Sequence, residues 1–398
     1  MYLINKNIIF VQGKVNGAIY DFNTSKVYSL NPPGCQILKE YINGQEISNK
    51  EYLKNLSNNH LIDYNYKPSK YHIKTNKNIE LEMAWLEITQ SCNLKCLHCY
   101  EGNSHISEKN ILKTEDWFNI IDQLVELNVK RVVVIGGEPC CYKNVASIIE
   151  YLAHKKINTT LFTNATCISN KLINTIIEKK IQVKVSIYGH NPEIHDKITG
   201  IKGSFKKTID NVNYLIQNGI KVSSALIIMK ENEDYLDDIV SFIKNTGMNY
   251  SRYDVIREVF GGTQNLHIPK NKEVIKKLYL TKPNFKADKN VFINNHSKNT
   301  CWYGKISILE NGNIIPCEFE RDIIYGNVKD TTIAEIINSP ETIKHWFYTF
   351  DQIEECKDCE YRFACKDCRA MGLAKCRNIS DKNPRCLYNP KKGIWKKI

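Results

Sequence analysis

The chain has 398 residues, of which 42% are hydrophobic, so it is long enough for two or three domains with substantial cores. It contains no uninterrupted apolar run of about 18 residues, and residues 1–10 lack the pattern of a secretory signal, so we expect a cytoplasmic protein without membrane contact. The formal net charge of +12 comes without a Lys/Arg-rich block that carries interleaved aromatic residues, which disfavours nucleic acid as a partner.

The first 75 residues are predicted to form a small separate module. Strands are expected at residues 8–11, 18–22 and 26–30, helices at 36–42 and 50–58, and a returning strand at 61–64. This order resembles the winged-helix leader-recognition modules of peptide-modifying enzymes, in which a leader peptide adds as a strand to the sheet edge. The resemblance implies a precursor peptide as partner. The alternative is a structural cap on a catalytic domain.

A cysteine triplet follows the next predicted strand, at residues 85–89. The spacing of Cys92, Cys96 and Cys99 is CxxxCxxC. An iron-sulfur cluster normally takes four Cys ligands, so three thiolates would leave one of four irons open to chelation by a small molecule. A zinc site or buried free thiols are the alternatives. The chain has 15 cysteines and no export signal, which favours metal or redox use over disulfides.

From residue 85 onward, strands alternate with helices, which predicts right-handed parallel β/α units. The strands are expected at residues 85–89, 131–135, 159–163, 181–187, 221–228 and 250–255. Between the first two lies a helix for which Thr114 is the expected cap. Its apolar residues fall on one face: Trp117, Ile120, Ile121, Leu124 and Leu127.

Several polar or glycine residues follow the ends of these strands. The sequence GGEP occupies residues 136–139, where Gly136 and Gly137 allow a ligand to approach the backbone closely and Glu138 offers a carboxylate to an ammonium group. Asn164 follows the third strand, and Ser186 ends the fourth. Barrels of this kind carry their chemistry at the carboxyl ends of the strands, so we expect these residues to lie beside the cysteine loop.

The combination of CxxxCxxC with GGEP on the next strand resembles the radical SAM superfamily over about residues 80–260. The resemblance implies an α/β fold with a partial (β/α)6 barrel and a 4Fe-4S cluster on Cys92, Cys96 and Cys99. The open iron would bind S-adenosylmethionine, and reduction would release a 5'-deoxyadenosyl radical that takes a hydrogen atom from the substrate. A ferredoxin- or flavodoxin-like electron donor is implied as well.

The same resemblance assigns contacts to S-adenosylmethionine. Gly136, Gly137 and Glu138 would meet its amino group, and Asn164 and Ser186 would meet the ribose and neighbouring groups. The main chain at His98 would meet the adenine, with a packed loop histidine as the alternative. Relatives often have an arginine near Thr199 for the carboxylate of S-adenosylmethionine. That arginine is absent here, and Lys197 or Arg252 is expected to substitute.

Residues 295–398 hold a second group of cysteines that resembles the SPASM domain, which implies one or two auxiliary 4Fe-4S clusters. One ligand set is expected to be Cys356, Cys359, Cys365 and Cys386. The other set, Cys301, Cys317 and Cys368, has three thiolates. Cys376 or the substrate would fill its fourth place, or the place stays open. Cys368 departs from the family spacing, because two residues precede it where relatives have three. A zinc ribbon is the alternative.

Four cysteines match no cluster pattern and are interpreted as packing or surface thiols: Cys35, Cys140, Cys141 and Cys167. The predicted function is a radical SAM maturase that installs a crosslink, a thioether, in a ribosomally made precursor peptide. The alternatives are formylglycine formation on a protein substrate and a non-catalytic, metal-bearing, peptide-binding protein. The sequence names no general base. The candidates for this base are a carboxylate side chain and Tyr188.

Overall fold

The computed structural model of the protein describes residues 1–73, 78–100, 102, 111–259, 264–280 and 282–397. The chain divides into two compact units. Unit 1 comprises Met1–Asn78, Lys276–Tyr303 and Lys344–Ile398, and unit 2 comprises Ile79–Ile275 and Gly304–Ile343. In the described part of the chain, no helix is long and apolar enough to cross a membrane.

The helices and strands have the following bounds. The strands are β1 Tyr2–Asn5, β2 Ile8–Gln12, β3 Gly17–Asp21, β4 Lys26–Leu30, β5 Ser69–Lys70, β6 Met83–Glu87, β7 Arg131–Ile135, β8 Asn158–Thr163, β9 Gln182–Ile187, β10 Val222–Ile228, β11 Tyr253–Val255, β12 Lys305–Ile308, β13 Asn313–Ile315, β14 Gly326–Asn327, β15 Tyr388–Asn389 and β16 Ile394–Trp395. The α-helices are α1 Pro32–Asn43, α2 Lys50–Asn58, α3 Thr114–Glu126, α4 Val145–His154, α5 Asn170–Lys179, α6 Pro192–Thr199, α7 Ser204–Gln217, α8 Leu236–Asn245, α9 Lys272–Leu278, α10 Lys289–Ser297, α11 Ile333–Ile337, α12 Pro340–Trp346 and α13 Arg369–Cys376.

The N-terminal residues of unit 1 form an antiparallel sheet in the order β4-β3-β2-β1-β5. Alternate side chains of β2 point to opposite faces of this sheet. Ile8 and Phe10 pack in the cluster that includes Leu38 of α1 and Leu53 of α2. Ile9 and Val11 pack in a second cluster, with Phe292, Phe363 and Tyr388 from the C-terminal part of the chain. Both faces of the sheet are therefore buried.

Two expectations for this module need correction. Residues 61–64 do not form a strand, and the returning strand is β5 instead. Leu61 and Ile62 are buried in the core cluster of the helices, so their hydrophobicity reflects helix packing and not sheet pairing. Strand β1 was not predicted, although it lies between β2 and β5 in the sheet.

Unit 2 is built on a sheet in the order β11-β10-β9-β8-β7-β6-β12-β13-β14. The strands β6 to β11 are parallel neighbours, as the β/α alternation predicts. The next neighbour of β6 is β12, which runs parallel to it, and the hairpin of β13 and β14 follows. The sheet is open, so the barrel is partial.

Helix α3 begins one residue earlier than expected. Lys113 takes the cap position, and its N–H donates to Asp116 Oδ2 at 2.7 Å. Thr114 is the first helical residue, and its Oγ1 accepts from Asn144 Nδ2 at 2.9 Å. Four of the five residues of the predicted apolar face are buried: Trp117, Ile120, Ile121 and Leu124. Leu127 is the C-terminal cap of the helix and is only half-buried.

Candidate active site

The carboxyl ends of the parallel strands of unit 2 surround a cavity of about 230 Å³. The residues predicted to bind the cluster and S-adenosylmethionine all line it: Cys92, Cys96, His98, Cys99, Gly136, Gly137, Glu138, Asn164 and Ser186. The cavity therefore assembles residues that are separated by almost 100 positions in the chain.

The cysteine loop is held against the C-terminal end of α6. Lys95 N–H donates to Thr199 O at 2.9 Å, and Leu97 N–H donates to Ile198 O at 2.9 Å. Gly200 has φ of +71°, and a Cβ there would lie 2.6 Å from Lys95 O, so a larger residue would push the loop away. Backbone contacts thus fix the triplet before any metal binds.

The three thiols of the triplet suit a metal cluster. Burial raises the pKa of Cys92 to about 12 and the pKa of Cys96 still further, so these thiols ionise near neutral pH only with help from a cation. Bound iron would supply that charge, because a coordinated thiol is deprotonated. Over the described ranges, no three His, Cys, Asp or Glu side chains are grouped around the position of a single metal ion.

The structure explains why the first two positions of GGEP are glycines, which the sequence did not reveal. A Cβ on Gly136 would lie 2.4 Å from Thr89 O, and one on Gly137 would lie 2.3 Å from Gln90 O. Gly137 N–H donates to Thr89 O at 2.8 Å. The two glycines therefore let this turn pack directly on the backbone that leads into the cysteine loop.

Glu138 is 1% exposed and accepts three hydrogen bonds. Its Oε1 accepts from Thr163 Oγ1 at 2.6 Å and from Cys140 N at 3.0 Å, and its Oε2 accepts from Asn164 N at 2.6 Å. Burial raises the pKa of Glu138, while the bonds from Thr163 and Asn164 oppose that rise. A carboxylate can accept about four hydrogen bonds, so one position remains for a ligand.

Asn164 connects β8 to the cysteine loop. Its Nδ2 donates to Asn93 Oδ1 at 2.9 Å, and its Oδ1 accepts from Thr166 N at 2.8 Å. Much of the hydrogen-bonding capacity of the Asn164 side-chain amide is therefore used within the protein. Its predicted contact with the ribose stays a prediction.

The aromatic side of the cavity contains His98 and Tyr188, whose ring centroids are 4.5 Å apart. Burial lowers the pKa of His98 to about 4, which keeps the imidazole neutral, and its Nδ1 has no hydrogen-bond partner among the described residues. Burial also raises the pKa of Tyr188, so its phenol stays protonated at neutral pH and is a poor general base.

The cavity also contains charged residues that the sequence did not single out. Arg257 lines it and pairs with Asp254, with Nη2 and Oδ2 2.6 Å apart. Neither Lys197 nor Arg252 is among the described residues that line it, so Arg257 is better placed to meet a carboxylate. Glu318 lines the cavity as well, and burial raises its pKa. Arg257 follows β11 by two residues, and this position at a strand end was the available signal.

A second cavity, in unit 1, is lined by the four cysteines of the first auxiliary set: Cys356, Cys359, Cys365 and Cys386. These thiols are buried enough that the pKa of each is raised. Four thiols at one cavity are a full ligand set for an iron-sulfur cluster. Cys368 is not among the described residues that line this cavity.

The second auxiliary set is divided between the units. Cys301 and Cys368 belong to unit 1, and Cys317 belongs to unit 2. The buried guanidinium of Arg369 pairs with Asp367, whose charge raises the pKa of the arginine although burial opposes that rise. The side chain of Cys376 lies outside the described residues.

Three of the cysteines that match no cluster pattern lie together. The Cys167 thiol hydrogen-bonds with the thiols of Cys140 and Cys141. Cys140 Sγ also lies 3.4 Å from Thr163 Oγ1, next to Glu138. Cys35 is apart from them, buried in the N-terminal core.

Residues 86–243 match the family model of the Radical SAM superfamily, and residues 301–360 match that of the SPASM iron-sulfur cluster-binding domain. The protein is a radical SAM enzyme with a SPASM domain. A partial β/α barrel, a triplet loop at its carboxyl end and a cysteine-lined cavity in the C-terminal region agree with this membership.

Named relatives include enzymes with different products. This radical SAM enzyme is 24% identical over 350 residues to the AdoMet-dependent heme synthase of Oleidesulfovibrio alaskensis, covering 78% of this chain and 88% of that protein. It is 27% identical over 340 residues to AlbA of Bacillus subtilis, an antilisterial bacteriocin subtilosin biosynthesis protein, covering 81% and 75% of the two chains.

The fold is similar to that of Streptococcus suis SuiB, with a TM-score of 0.63 at 17% identity over 97% of this chain and 100% of SuiB. Structures of SuiB with S-adenosylmethionine and with its precursor peptide SuiA also match. At this identity the likeness concerns the fold alone.

In a radical SAM enzyme, the cluster and S-adenosylmethionine supply the radical that removes hydrogen from the substrate. The residues of this chain supply position and shielding. Cys92, Cys96 and Cys99 can hold the irons, and Glu138 has room for an ammonium group. The uncharged rings of His98 and Tyr188 form one wall of the cavity.

Proposed function

We propose that this radical SAM enzyme modifies a ribosomally made precursor peptide. It removes a hydrogen atom from a peptide carbon and installs a crosslink, a thioether, at that carbon. The chain holds the radical-forming cluster on Cys92, Cys96 and Cys99, and an auxiliary cluster on Cys356, Cys359, Cys365 and Cys386.

The observation that carries this proposal is the edge strand β4 of the N-terminal sheet. Within the described residues, β4 pairs with β3 alone and is bridged on its outer side only at Lys26, to Lys286. An open edge presents unpaired backbone groups that an extended peptide can use. The fold likeness to SuiB covers 97% of this chain and so includes most of this module. SuiB itself binds a precursor peptide.

The thioether rests on the second auxiliary set. Cys301, Cys317 and Cys368 would leave one iron without a cysteine, and such an iron can bind the thiolate of a substrate cysteine. The alternative ligand is Cys376. A substrate thiol bound to that iron would lose its proton. Its sulfur would then bond to the carbon from which the hydrogen atom was removed, and the one surplus electron would pass to the auxiliary cluster.

Two other enzymatic activities are alternatives to this proposal. Formylglycine formation on a protein does not require a leader-binding module. The open edge of β4 supports such a module in this chain and therefore favours the peptide proposal. A tetrapyrrole substrate is favoured by the match to a heme synthase over 88% of that protein's length. Both remain outcomes of the experiment below.

The experiment is anaerobic incubation of the cluster-loaded enzyme with S-adenosylmethionine, a chemical reductant and a Cys-containing precursor peptide encoded beside the gene. Formation of 5'-deoxyadenosine with loss of two hydrogens from the peptide is expected, and fragmentation would locate a bond to sulfur. A parallel reaction with an iron porphyrin carrying propionates tests the heme-synthase activity. Decarboxylation of that porphyrin with an unchanged peptide would reject the peptide proposal.

A further inference from the structure

The C-terminal hairpin of unit 1 carries a concentrated positive charge. Strands β15 and β16 pair through Tyr388 with Trp395 and Asn389 with Ile394. Four exposed lysines lie on the turn and just after β16: Lys391, Lys392, Lys396 and Lys397. Residues 390–397 contain no acidic residue. A strand advances about 3.4 Å per residue, so all four lysines stand within about 20 Å of one another.

An apolar side chain lies between the two lysine pairs. Ile394 is 53% exposed, which is unusual for a residue of this size in a strand. A small apolar centre with a charged rim is the composition of transient protein interfaces, and electron-transfer complexes are among the smallest of these.

The same hairpin forms a wall of the cavity that holds the four thiols. Trp395, the neighbour of Ile394, lines this cavity together with Cys356, Cys359 and Cys386. Its ring centroid lies 4.6 Å from that of Tyr388, which also lines the cavity. The side chains of one short strand therefore reach from the exposed lysine surface to the thiols.

The hairpin is held in a fixed position. Asn16 Nδ2 donates to Gly393 O at 2.9 Å and to Tyr388 Oη at 3.0 Å. Gly393 has φ of +68°, and a Cβ there would lie 2.8 Å from Asn16 Nδ2, so the turn requires glycine. A rigid surface costs less conformational entropy on binding than a mobile one.

We propose that this hairpin is the docking surface for an acidic one-electron carrier protein. The four lysines attract the carrier, Ile394 forms the apolar centre of the contact, and Trp395 separates the carrier from the cluster on the four thiols. One electron passes from the reduced carrier to the cluster, which oxidises the carrier by one electron, and no bond forms or breaks. This inference does not depend on the substrate of the enzyme.

The test measures binding of an FMN-loaded flavodoxin to the cluster-loaded full-length enzyme, without peptide. The double variant Lys391→Glu/Lys392→Glu is compared with the double variant Lys202→Glu/Lys207→Glu. The control lysines are also exposed, and they lie in unit 2 at the start of α7. We expect the hairpin variant to bind about tenfold more weakly and the control to match the wild type.

Two further measurements use the wild-type protein and so do not depend on how the variants fold. Affinity is expected to fall as ionic strength rises, and carbodiimide cross-links to flavodoxin carboxylates are expected at the hairpin lysines. Basic cytochrome c is the matched carrier of opposite charge and is expected not to bind.

Several results would overturn the proposal. These are the absence of flavodoxin binding, an equal loss in the control variant, cross-links confined to other lysines, and equal binding of cytochrome c. If duplex DNA binds as tightly as flavodoxin and loses affinity in the same hairpin variant, the hairpin is a general polyanion site and the carrier proposal fails. Cleavage of S-adenosylmethionine driven by a small chemical reductant is expected to be unchanged in both variants.

Discussion

Glu138 links the ends of β7 and β8 through the donors Thr163 Oγ1, Cys140 N and Asn164 N. The Glu138→Gln substitution places an amide NH2 against at least one of these donors and removes the negative charge. Because a hydrogen bond between a carboxylate and an ammonium group is stronger than one to a neutral amide, we expect weaker binding of S-adenosylmethionine by about tenfold.

Equilibrium binding of S-adenosylmethionine to the cluster-loaded enzyme measures this effect. Thr163→Val is the matched control, since it removes one donor and keeps the carboxylate. If both variants bind equally well, the charge of Glu138 has no role at the ligand, and its contribution is limited to joining the two strands.

His195 gives unit 2 a dependence on pH. It is 1% exposed, its Nδ1 accepts from Tyr188 N at 3.4 Å, and burial lowers its pKa to about 4, although Asp196 opposes the shift. The unfolded chain binds a proton near the ordinary pKa of about 6.5. The unfolded state therefore binds more protons between these values, and stability is lost as the pH falls through that range.

Between pH 8 and pH 6, this residue is expected to lower the free energy of unfolding by about 1 kcal/mol. His195→Gln keeps an acceptor for the Tyr188 N–H but does not titrate, so its unfolding free energy should change less over the same interval. Denaturant unfolding at the two pH values, with equal iron content, measures the difference. Parallel curves for the two proteins would contradict the assignment.

At the scale of elements, the outer side of β4 can be described residue by residue. Ser25 O accepts from Ala287 N at 3.0 Å on that side. Along an edge strand, the backbone N–H and C=O groups of every second residue point away from the sheet. Those of Val27 and Ser29 point outward, while Tyr28 pairs with Ile19 of β3. The bridge between Lys26 and Lys286 occupies this side as far as Val27, so a peptide strand that adds to this edge would bond to Ser29.

Ser29→Pro removes one outward N–H without removing a bond to β3. We expect it to weaken precursor-peptide binding about tenfold and to leave S-adenosylmethionine binding unchanged. Ser29→Ala is the control, because it keeps the N–H and removes only the side-chain bond to Tyr361 Oη, 2.7 Å long. Equal affinity of peptide for the two variants would place the peptide elsewhere.

At the scale of the whole molecule, unit 1 joins distant parts of the chain in one core. Tyr361, Phe363 and Tyr388 pack in the same cluster as Ile9 and Val11 of β2. The four thiols that line the cavity of unit 1 lie within a few residues of these aromatic side chains in the sequence. Loss of the cluster is therefore expected to loosen the sheet face that rests on them, because metal binding and folding are coupled.

Cys365→Ser is expected to lose about four irons per chain and to increase amide hydrogen exchange in β2 and β3. Cys35→Ala is the control, because Cys35 is a buried thiol of the N-terminal core that belongs to no ligand set. Iron and sulfide analysis with hydrogen-exchange mass spectrometry measures both effects. Full iron content in Cys365→Ser would remove this cysteine from the ligand set.

Local sequence was sufficient to predict many of the helices and strands of this protein. The bounds of β4, β7 and α2 match their predictions, because hydrophobic periodicity and end signals act over a few residues. The triplet and GGEP were also readable, since each motif is contiguous and lies at a strand end. Where prediction failed, at residues 61–64, burial under helices produced the same hydrophobic pattern as a strand.

The sequence by itself indicated the kind of enzyme, because CxxxCxxC and GGEP are contiguous motifs whose combination resembles that of the radical SAM superfamily. Only the tertiary structure decided which residues share the cavity with them. Arg257 and Glu318 reach it from segments that carry no motif, and the N-terminal sheet shares its core with C-terminal aromatic residues. Such contacts depend on long-range packing, and the chain carries little local signal for them beyond the place of Arg257 at a strand end.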